Sequence, residues 1–100
     1  MVNRADEGAA IFATHGVADA LTTIAAARAV GIDGEANPLI RELLTHGEPL
    51  TAAVMLGVVA VASAAWMVAT EIAHSPRSVG YAVASVGALV ALGNVVVALS

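Results

Sequence analysis

The chain has 100 residues, 59% of them hydrophobic, a mean hydropathy of +0.86 and a formal net charge of −4. Soluble domains are about 45–50% apolar, and 100 residues cannot enclose three helices that are apolar all round, which disfavours the alternative of a water-soluble bundle. The absence of cysteine excludes disulfides and thiolate metal sites, and the absence of a basic patch argues against nucleic acid as a partner.

The first predicted helix covers about residues 8–30, and Asp19 lies at its midpoint. A bilayer core takes roughly 20 helical residues, so this carboxylate is expected near the membrane centre. There it costs roughly 2.5 kcal/mol or more unless it is paired or protonated, which makes it a candidate functional residue. His15 precedes it by one helical turn, and Thr22 and Thr23 follow it by one turn.

The same segment resembles a signal peptide, because Arg4 precedes an apolar run and the alanines at 25–27 resemble a cleavage site. Four polar or charged residues are unfavourable in a signal peptide and therefore favour a helix that is retained in the protein: Asp6, Glu7, His15 and Asp19.

A short second helix is predicted over residues 38–46. Gly31 is expected to end the first helix, and Asn37-Pro38 reads as an N-cap followed by proline at the first helical position. Nine residues cannot span a bilayer, so this helix is predicted to lie in the membrane interface. Its apolar side contains Leu39, Ile40, Leu43 and Leu44.

Two further membrane helices are predicted over residues 50–74 and 77–99, since neither 50–70 nor 78–100 contains a charged residue. The chain is therefore predicted to be one all-α integral-membrane domain over residues 1–100, with three transmembrane helices and one short interfacial helix. In membranes, small residues at three- and four-residue spacing let helices approach closely. On the third membrane helix this packing stripe contains Gly80, Ala84, Gly87 and Ala91, and on the second it is expected to contain Gly57, Ala60, Ala64, Met67, Glu71 and His74.

Depth in the membrane relates Asp19 to a polar residue of the last helix. At about 1.5 Å per residue, Asp19 lies about 16 Å and Asn94 about 24 Å from the same membrane surface, which puts Asn94 nearest the level of residues 22–24, slightly deeper than Asp19. We therefore predict an intramembrane polar cluster of His15, Asp19, Thr22, Thr23 and Asn94. The loop after the first helix contains the motif Glu35, Asn37 and Pro38. Of these, Glu35 and Asn37 are expected to cover the cluster.

Neither a metal, a cofactor nor an enzyme activity is predicted. His15 with Asp19 and Glu71 with His74 are weak metal candidates, because their i, i+4 and i, i+3 spacings occur in metal sites of helical bundles. The two pairs are expected to stay apart, since His74 lies at the membrane surface and His15 about 10 Å below it. No nucleophile with a neighbouring base and orienting group is visible.

Two motifs resemble those of an uncharacterised family of small archaeal and bacterial multi-span membrane proteins. The first is Asp19-Ala20-Leu21-Thr22-Thr23, with its Asp-x-x-Thr pattern, and the second is Gly34-Glu35-Ala36-Asn37-Pro38-Leu39, with its Glu-x-Asn-Pro pattern. An asparagine near the end of the last helix, here Asn94, is also similar. The resemblance implies a fold of a few transmembrane helices and no biochemical activity. It further implies that six residues act as one unit: Asp19, Thr22, Glu35, Asn37, Pro38 and Asn94.

Two functions are compatible with this pattern. The first is a small accessory or structural subunit that associates through its helices with itself or with a larger membrane complex. The alternative is a homo-oligomeric proton or cation channel or transporter with Asp19 in its path. A conduit needs a continuous polar stripe, and Ala26 and Val30 leave one end of this stripe apolar, which favours the first function. Asp19 itself is interpreted as a structural hydrogen-bonding residue, an ion site, or the partner of a charge on another protein.

We expect the cytoplasmic membrane of a prokaryote as the location. An acidic, alanine- and valine-rich chain without lysine is typical of GC-rich and halophilic organisms. The orientation is undetermined, because Arg4 and Arg77 lie on one side of the membrane and Arg28 and Arg41 on the other.

Overall fold

The computed structural model describes residues 4–100, which are all-helical and contain no strand. Helix α1 covers Ala5–Val30, α2 Pro38–Thr45, α3 Glu48–Ala73 and α4 Arg77–Leu99. Helices α1, α3 and α4 are each long and apolar enough to cross a membrane. The predicted all-α class and the three long apolar helices are thereby confirmed.

Two of the long helices begin earlier than the hydropathy indicated. α1 begins at Ala5, and its first turn contains Asp6 and Glu7, which the positive end of the helix dipole favours. α3 begins at Glu48 rather than residue 50, because proline is compatible with the first helical turn and Pro49 occupies it. A prediction that is based on the length of the apolar segment therefore omits charged residues in the first turn of a helix.

Helix α1 is continuous but changes its winding near the middle. Residues Phe12–Ala18 form a π-helical segment between two α-helical parts. Helix α1 ends before Gly31, which takes φ 91°, a conformation that glycine adopts without strain. The backbone N–H of Gly31 donates to the Ala27 carbonyl over 2.8 Å.

The side chain of Asn37 caps α2. Its Oδ1 accepts hydrogen bonds from the backbone N–H groups of Leu39 at 3.0 Å and Ile40 at 3.4 Å, and Pro38 occupies the first helical position. These bonds satisfy donors that have no partner inside the helix.

Replacing Asn37 with alanine is therefore expected to lower the free energy of unfolding by about 0.5–2 kcal/mol. Thermal unfolding of the purified protein in detergent measures this loss. Asp33→Ala is the matched control, since this exposed residue lies in the same loop. Equal melting temperatures for the two variants would show that the Asn37 cap does not stabilise the fold.

The first helix is the centre of the packing. α1 contacts both α3 and α4, whereas in residues 4–100 no Cα atom of α3 lies within 8 Å of a Cα atom of α4. At the far end of α1, Arg28 Nε donates to Glu48 Oε2 over 2.7 Å and so links α1 to the start of α3. The short helix α2 packs against α3.

Helix α4 packs against α1 through small residues. The buried residues of α4 are Gly80, Ala84, Gly87 and Ala91. A Cβ atom at Gly87 would lie 2.6 Å from His15 Cδ2, so only glycine allows this approach of the two helices. Because the backbones of α1 and α4 are close, short polar side chains of the two helices can reach each other.

Most of the predicted packing stripe of α3 does not pack against the other helices in residues 4–100. Four of its residues are exposed, namely Gly57, Ala60, Ala64 and His74, whereas Met67 and Glu71 are half-buried. The buried residues are Thr51, Met55, Ser63 and Thr70. The hydroxyls of the buried Thr51 and Thr70 are satisfied, because they donate to carbonyls four residues earlier, those of Gly47 and Trp66. In so alanine-rich a helix, small-residue spacing did not distinguish the two faces.

Candidate functional site

Four polar side chains meet between α1 and α4 and form what we term the central cluster: Asp19, Thr22, Thr23 and Asn94. Asn94 Nδ2 donates to Asp19 Oδ1 at 3.1 Å, to Thr22 Oγ1 at 3.1 Å and to Thr23 Oγ1 at 3.2 Å. Thr23 Oγ1 in turn donates to Asp19 Oδ1 over 3.2 Å. The carboxylate of Asp19 therefore accepts hydrogen bonds from both helices.

Helical spacing places the first three members on one face. Asp19, Thr22 and Thr23 are related by steps of three and four residues, which are neighbours on a helix surface. Thr23 is buried and the other members of the central cluster are half-buried. Asn94 follows the buried Gly87 and Ala91 on α4, where the helices are close enough for its short side chain to reach α1. The packing stripe and the polar cluster are thus parts of one interface.

His15 does not join these four residues. Its Nε2 lies 2.7 Å from the backbone carbonyl oxygen of Val83 on α4. The prediction assumed a regular α-helix, whereas His15 lies in the π-helical segment, whose wider turn changes the phase of the helix face. The membership of His15 in the polar cluster is thus corrected to a separate contact with the α4 backbone.

A cavity of about 130 Å³ lies beside the central cluster, at the end of α1. Asn94 and Glu35 both line it, as do Ala26 and Val30. Asn37, which was expected to cover the cluster together with Glu35, does not line this cavity, because its side chain is used to cap α2. Its backbone N–H donates to Glu35 Oε1 over 3.0 Å and so positions that carboxylate.

A second polar group, which sequence reasoning missed, lies near the start of α1 and is termed the N-terminal network: Arg4, Glu7, Trp66 and Glu71. Arg4 Nη1 lies 2.9 Å from Glu7 Oε2, and Arg4 Nε lies 3.1 Å from Glu71 Oε2. Trp66 Nε1 donates to Glu7 Oε1 over 2.8 Å. Glu7 is fully buried and Arg4 is 7% exposed. The signal in the sequence was the i, i+3 spacing of Arg4 and Glu7, together with the chain's single tryptophan.

The four weak metal candidates lie in four different places. Glu71 pairs with Arg4, and His74 is exposed at the end of α3, where its backbone takes the left-handed φ of 54°. Asp19 belongs to the central cluster, and His15 contacts α4. Within residues 4–100 no group of three or more histidine, aspartate or glutamate side chains is arranged to hold a metal ion.

Comparison with known proteins gives a family but no activity. The model of a family described as a domain of unknown function, DUF5658, matches residues 10–100. No curated protein and no solved structure matches the chain. The matched range contains the central cluster, the cavity and helices α2 to α4, whereas Arg4 and Glu7 precede it. The resemblance to an uncharacterised family is confirmed, and this chain belongs to the family of the domain of unknown function DUF5658.

Proposed function

We propose that this chain is a small integral-membrane subunit that acts through helix association, either with further copies or with a larger complex in a prokaryotic cytoplasmic membrane. The observation that carries this proposal is the closure of the central cluster inside one chain. Asp19 receives hydrogen bonds from Asn94 and Thr23, so its carboxylate has a structural role without any external ligand. Such a carboxylate fixes the relative position of α1 and α4 and thereby the outer surface that the chain presents.

The outward face of α3 supports association with another chain. Among the helices of residues 4–100, α3 packs against α1 and α2. Within the same residues, no atom beyond the backbone of α3 itself and the two chain neighbours lies within 4 Å of where a Cβ atom at Gly57 would be. Ala60 and Ala64 continue this exposed face one and two turns further. Small residues on a membrane helix permit close approach of a second helix, whereas lipid requires only apolar side chains. This surface is therefore the one that we propose for helix association.

A second function, a proton or cation conduit through a homo-oligomer, is favoured by a different observation. Polar side chains follow one another along α1, from Glu7 of the N-terminal network through His15 to Asp19 of the central cluster. Ala26 and Val30 were expected to leave one end of this stripe apolar, but they line a cavity whose lining also includes Glu35. Ionisable residues inside a membrane bundle are typical of such pathways.

Two substitutions at Asp19 separate these functions. If Asp19 is structural, Asp19→Asn is expected to keep folding and assembly, because asparagine still accepts the bonds from Asn94 and Thr23. Asp19→Leu is expected to destabilise the α1–α4 contact by about 1–2 kcal/mol per lost interhelical hydrogen bond. Stability and oligomeric state in nanodiscs measure this difference, and Leu21→Ala, at an exposed neighbouring position, is the control.

Ion flux into liposomes that contain the same proteins provides the second measurement. No flux above empty liposomes for the wild type, together with a loss of stability only in Asp19→Leu, supports the structural role. Wild-type flux that disappears in the folded Asp19→Asn variant would overturn it in favour of the conduit, because only the ionisable group binds and releases a charge. A strictly monomeric wild type without a co-purifying partner would contradict both proposals.

A further inference from the structure

The cavity beside Asn94 has the size of a small-molecule site. It lies where the last turns of α1 and α4 meet the loop that follows α1, and its volume is about 130 Å³. A protein cavity of about 150 Å³ takes up benzene, so this one accepts about six non-hydrogen atoms. Most of its lining is apolar and comes from alanine, valine and glycine residues. These walls suit a short hydrocarbon group.

The amide of Asn94 contributes an acceptor to this cavity. Its Nδ2 is engaged with Asp19, Thr22 and Thr23. The reversed amide would place Oδ1 against the carboxylate of Asp19, where two acceptors repel each other. The orientation of the amide is therefore fixed by the central cluster, and Oδ1 is the atom of Asn94 that remains for a ligand.

Glu35 contributes a negative charge. This half-buried residue lines the cavity, and the Asn37 N–H holds its Oε1 at 3.0 Å. Arg41 donates to the backbone carbonyl of Glu35 over 3.3 Å, but in residues 4–100 no basic group lies within 4.0 Å of the Glu35 carboxylate. The charge of Glu35 is thus not neutralised by a neighbouring side chain.

The C-terminal end of α1 also contributes negative electrostatic potential to the cavity. Ala26, Ala27 and Val30 line the cavity and belong to the last five residues of α1, and Gly31, which also lines it, follows directly. The last carbonyl groups of a helix lack partners within the helix, and the helix dipole is negative there. The side-chain acceptor, the carboxylate and the helix end all favour a positively charged hydrogen-bond donor.

We propose that this cavity binds a primary aliphatic ammonium ion of about six or fewer non-hydrogen atoms. An ammonium group has three donors and no acceptor, which matches Glu35 and Asn94, and its alkyl chain matches the apolar walls. A bare metal ion is less suited, because hard cations take about six or more oxygen ligands. This site is independent of the helix association proposed above, since none of its lining residues belongs to α3.

The test uses the full chain in nanodiscs of zwitterionic lipid and compares n-butylammonium with 1-butanol, its neutral isostere. Binding is followed by chemical-shift changes of the backbone amides of Gly31 and Gly34, which line the cavity, with Gly57 of α3 as the internal reference. We expect saturable shifts at Gly31 and Gly34 with n-butylammonium and weaker ones with 1-butanol. Gly57 is expected to stay unchanged.

Two acid-to-amide variants of the same loop test the role of the Glu35 charge. Glu35→Gln keeps an acceptor for the Asn37 N–H and is expected to weaken n-butylammonium binding by about tenfold or more, as a lost charge-assisted hydrogen bond predicts. Asp33→Asn removes the same charge from an exposed residue outside the cavity and is expected to change binding by less than about twofold.

Three results would overturn the proposal. Equal binding of 1-butanol and n-butylammonium would show that the cavity is an apolar site without charge selectivity. Equal losses in Glu35→Gln and Asp33→Asn would show general attraction to an acidic surface. Unchanged Gly31 and Gly34 amides in the folded wild type would show that n-butylammonium does not bind in the cavity. None of these results depends on the oligomeric state of the chain.

Discussion

Replacing Glu7 with alanine is expected to lower the free energy of unfolding by about 3–5 kcal/mol, because it removes one partner of a buried ion pair. Glu7 is fully buried, lies 2.9 Å from Arg4 Nη1 and accepts the indole hydrogen bond of Trp66. Its loss leaves one donor of the buried Arg4 and the indole donor of the half-buried Trp66 without this acceptor. Fluorescence of Trp66, the single tryptophan, reports the unfolding of the detergent-solubilised protein at this position.

Asp6 provides the matched control for Glu7. It precedes Glu7 in the same first turn of α1, but it is 78% exposed and lies 3.5 Å from Arg77. Asp6→Ala is expected to cost less than about 1 kcal/mol, since exposed ion pairs contribute little. Glu7→Gln keeps an acceptor for Trp66 and is expected to lie between the two. Equal effects of Glu7→Ala and Asp6→Ala would show that the N-terminal network does not stabilise the fold.

Gly80→Ala is expected to have the second large effect, a destabilisation of about 1–3 kcal/mol. A Cβ atom at Gly80 would overlap the side chain of Glu7, which is held by Arg4 and Trp66 and has no free space to move into. Either the contact between α1 and α4 opens or the N-terminal network breaks. Thermal unfolding distinguishes this variant from the wild type, and the Trp66 emission shows whether the network has moved.

Gly93 offers the same substitution on the same helix without the overlap. In residues 4–100, no atom beyond the local backbone of α4 and the two chain neighbours lies within 4 Å of where a Cβ atom at Gly93 would be. Gly93→Ala is therefore expected to be neutral or to stabilise α4 by up to about 1 kcal/mol through helix propensity. A loss of stability in Gly93→Ala as large as in Gly80→Ala would show that helix backbone effects, rather than contact with Glu7, determine the result.

The long helices could be predicted because apolar length is a local property of the chain. Depth and helical spacing also suffice to relate Asp19, Thr22 and Thr23 to Asn94, since each helix rises by about 1.5 Å per residue. The first residues of α1 and α3 were harder to predict, because Glu7 and Glu48 interrupt the apolar pattern but are compatible with a first helical turn.

Other features depend on contacts that the sequence does not encode locally. The N-terminal network joins Arg4 and Glu7 to Trp66 and Glu71, which are about 60 positions away along the chain. The position of His15 depends on the π-helical segment, for which no sequence signal was recognised. The buried face of α3 depends on which side of α1 it meets, and its alanines are compatible with either side.

The absence of direct approach between α3 and α4 in residues 4–100 has a consequence for how the chain is made. Domains form from the N-terminus during synthesis, so α1 leaves the ribosome before either of the helices that pack against it. Each later helix then finds its partner already present and does not need to wait for the other. The order of synthesis thus makes α1 the template on which α3 and α4 dock, and both helices meet at the side chain of Glu7 near its start.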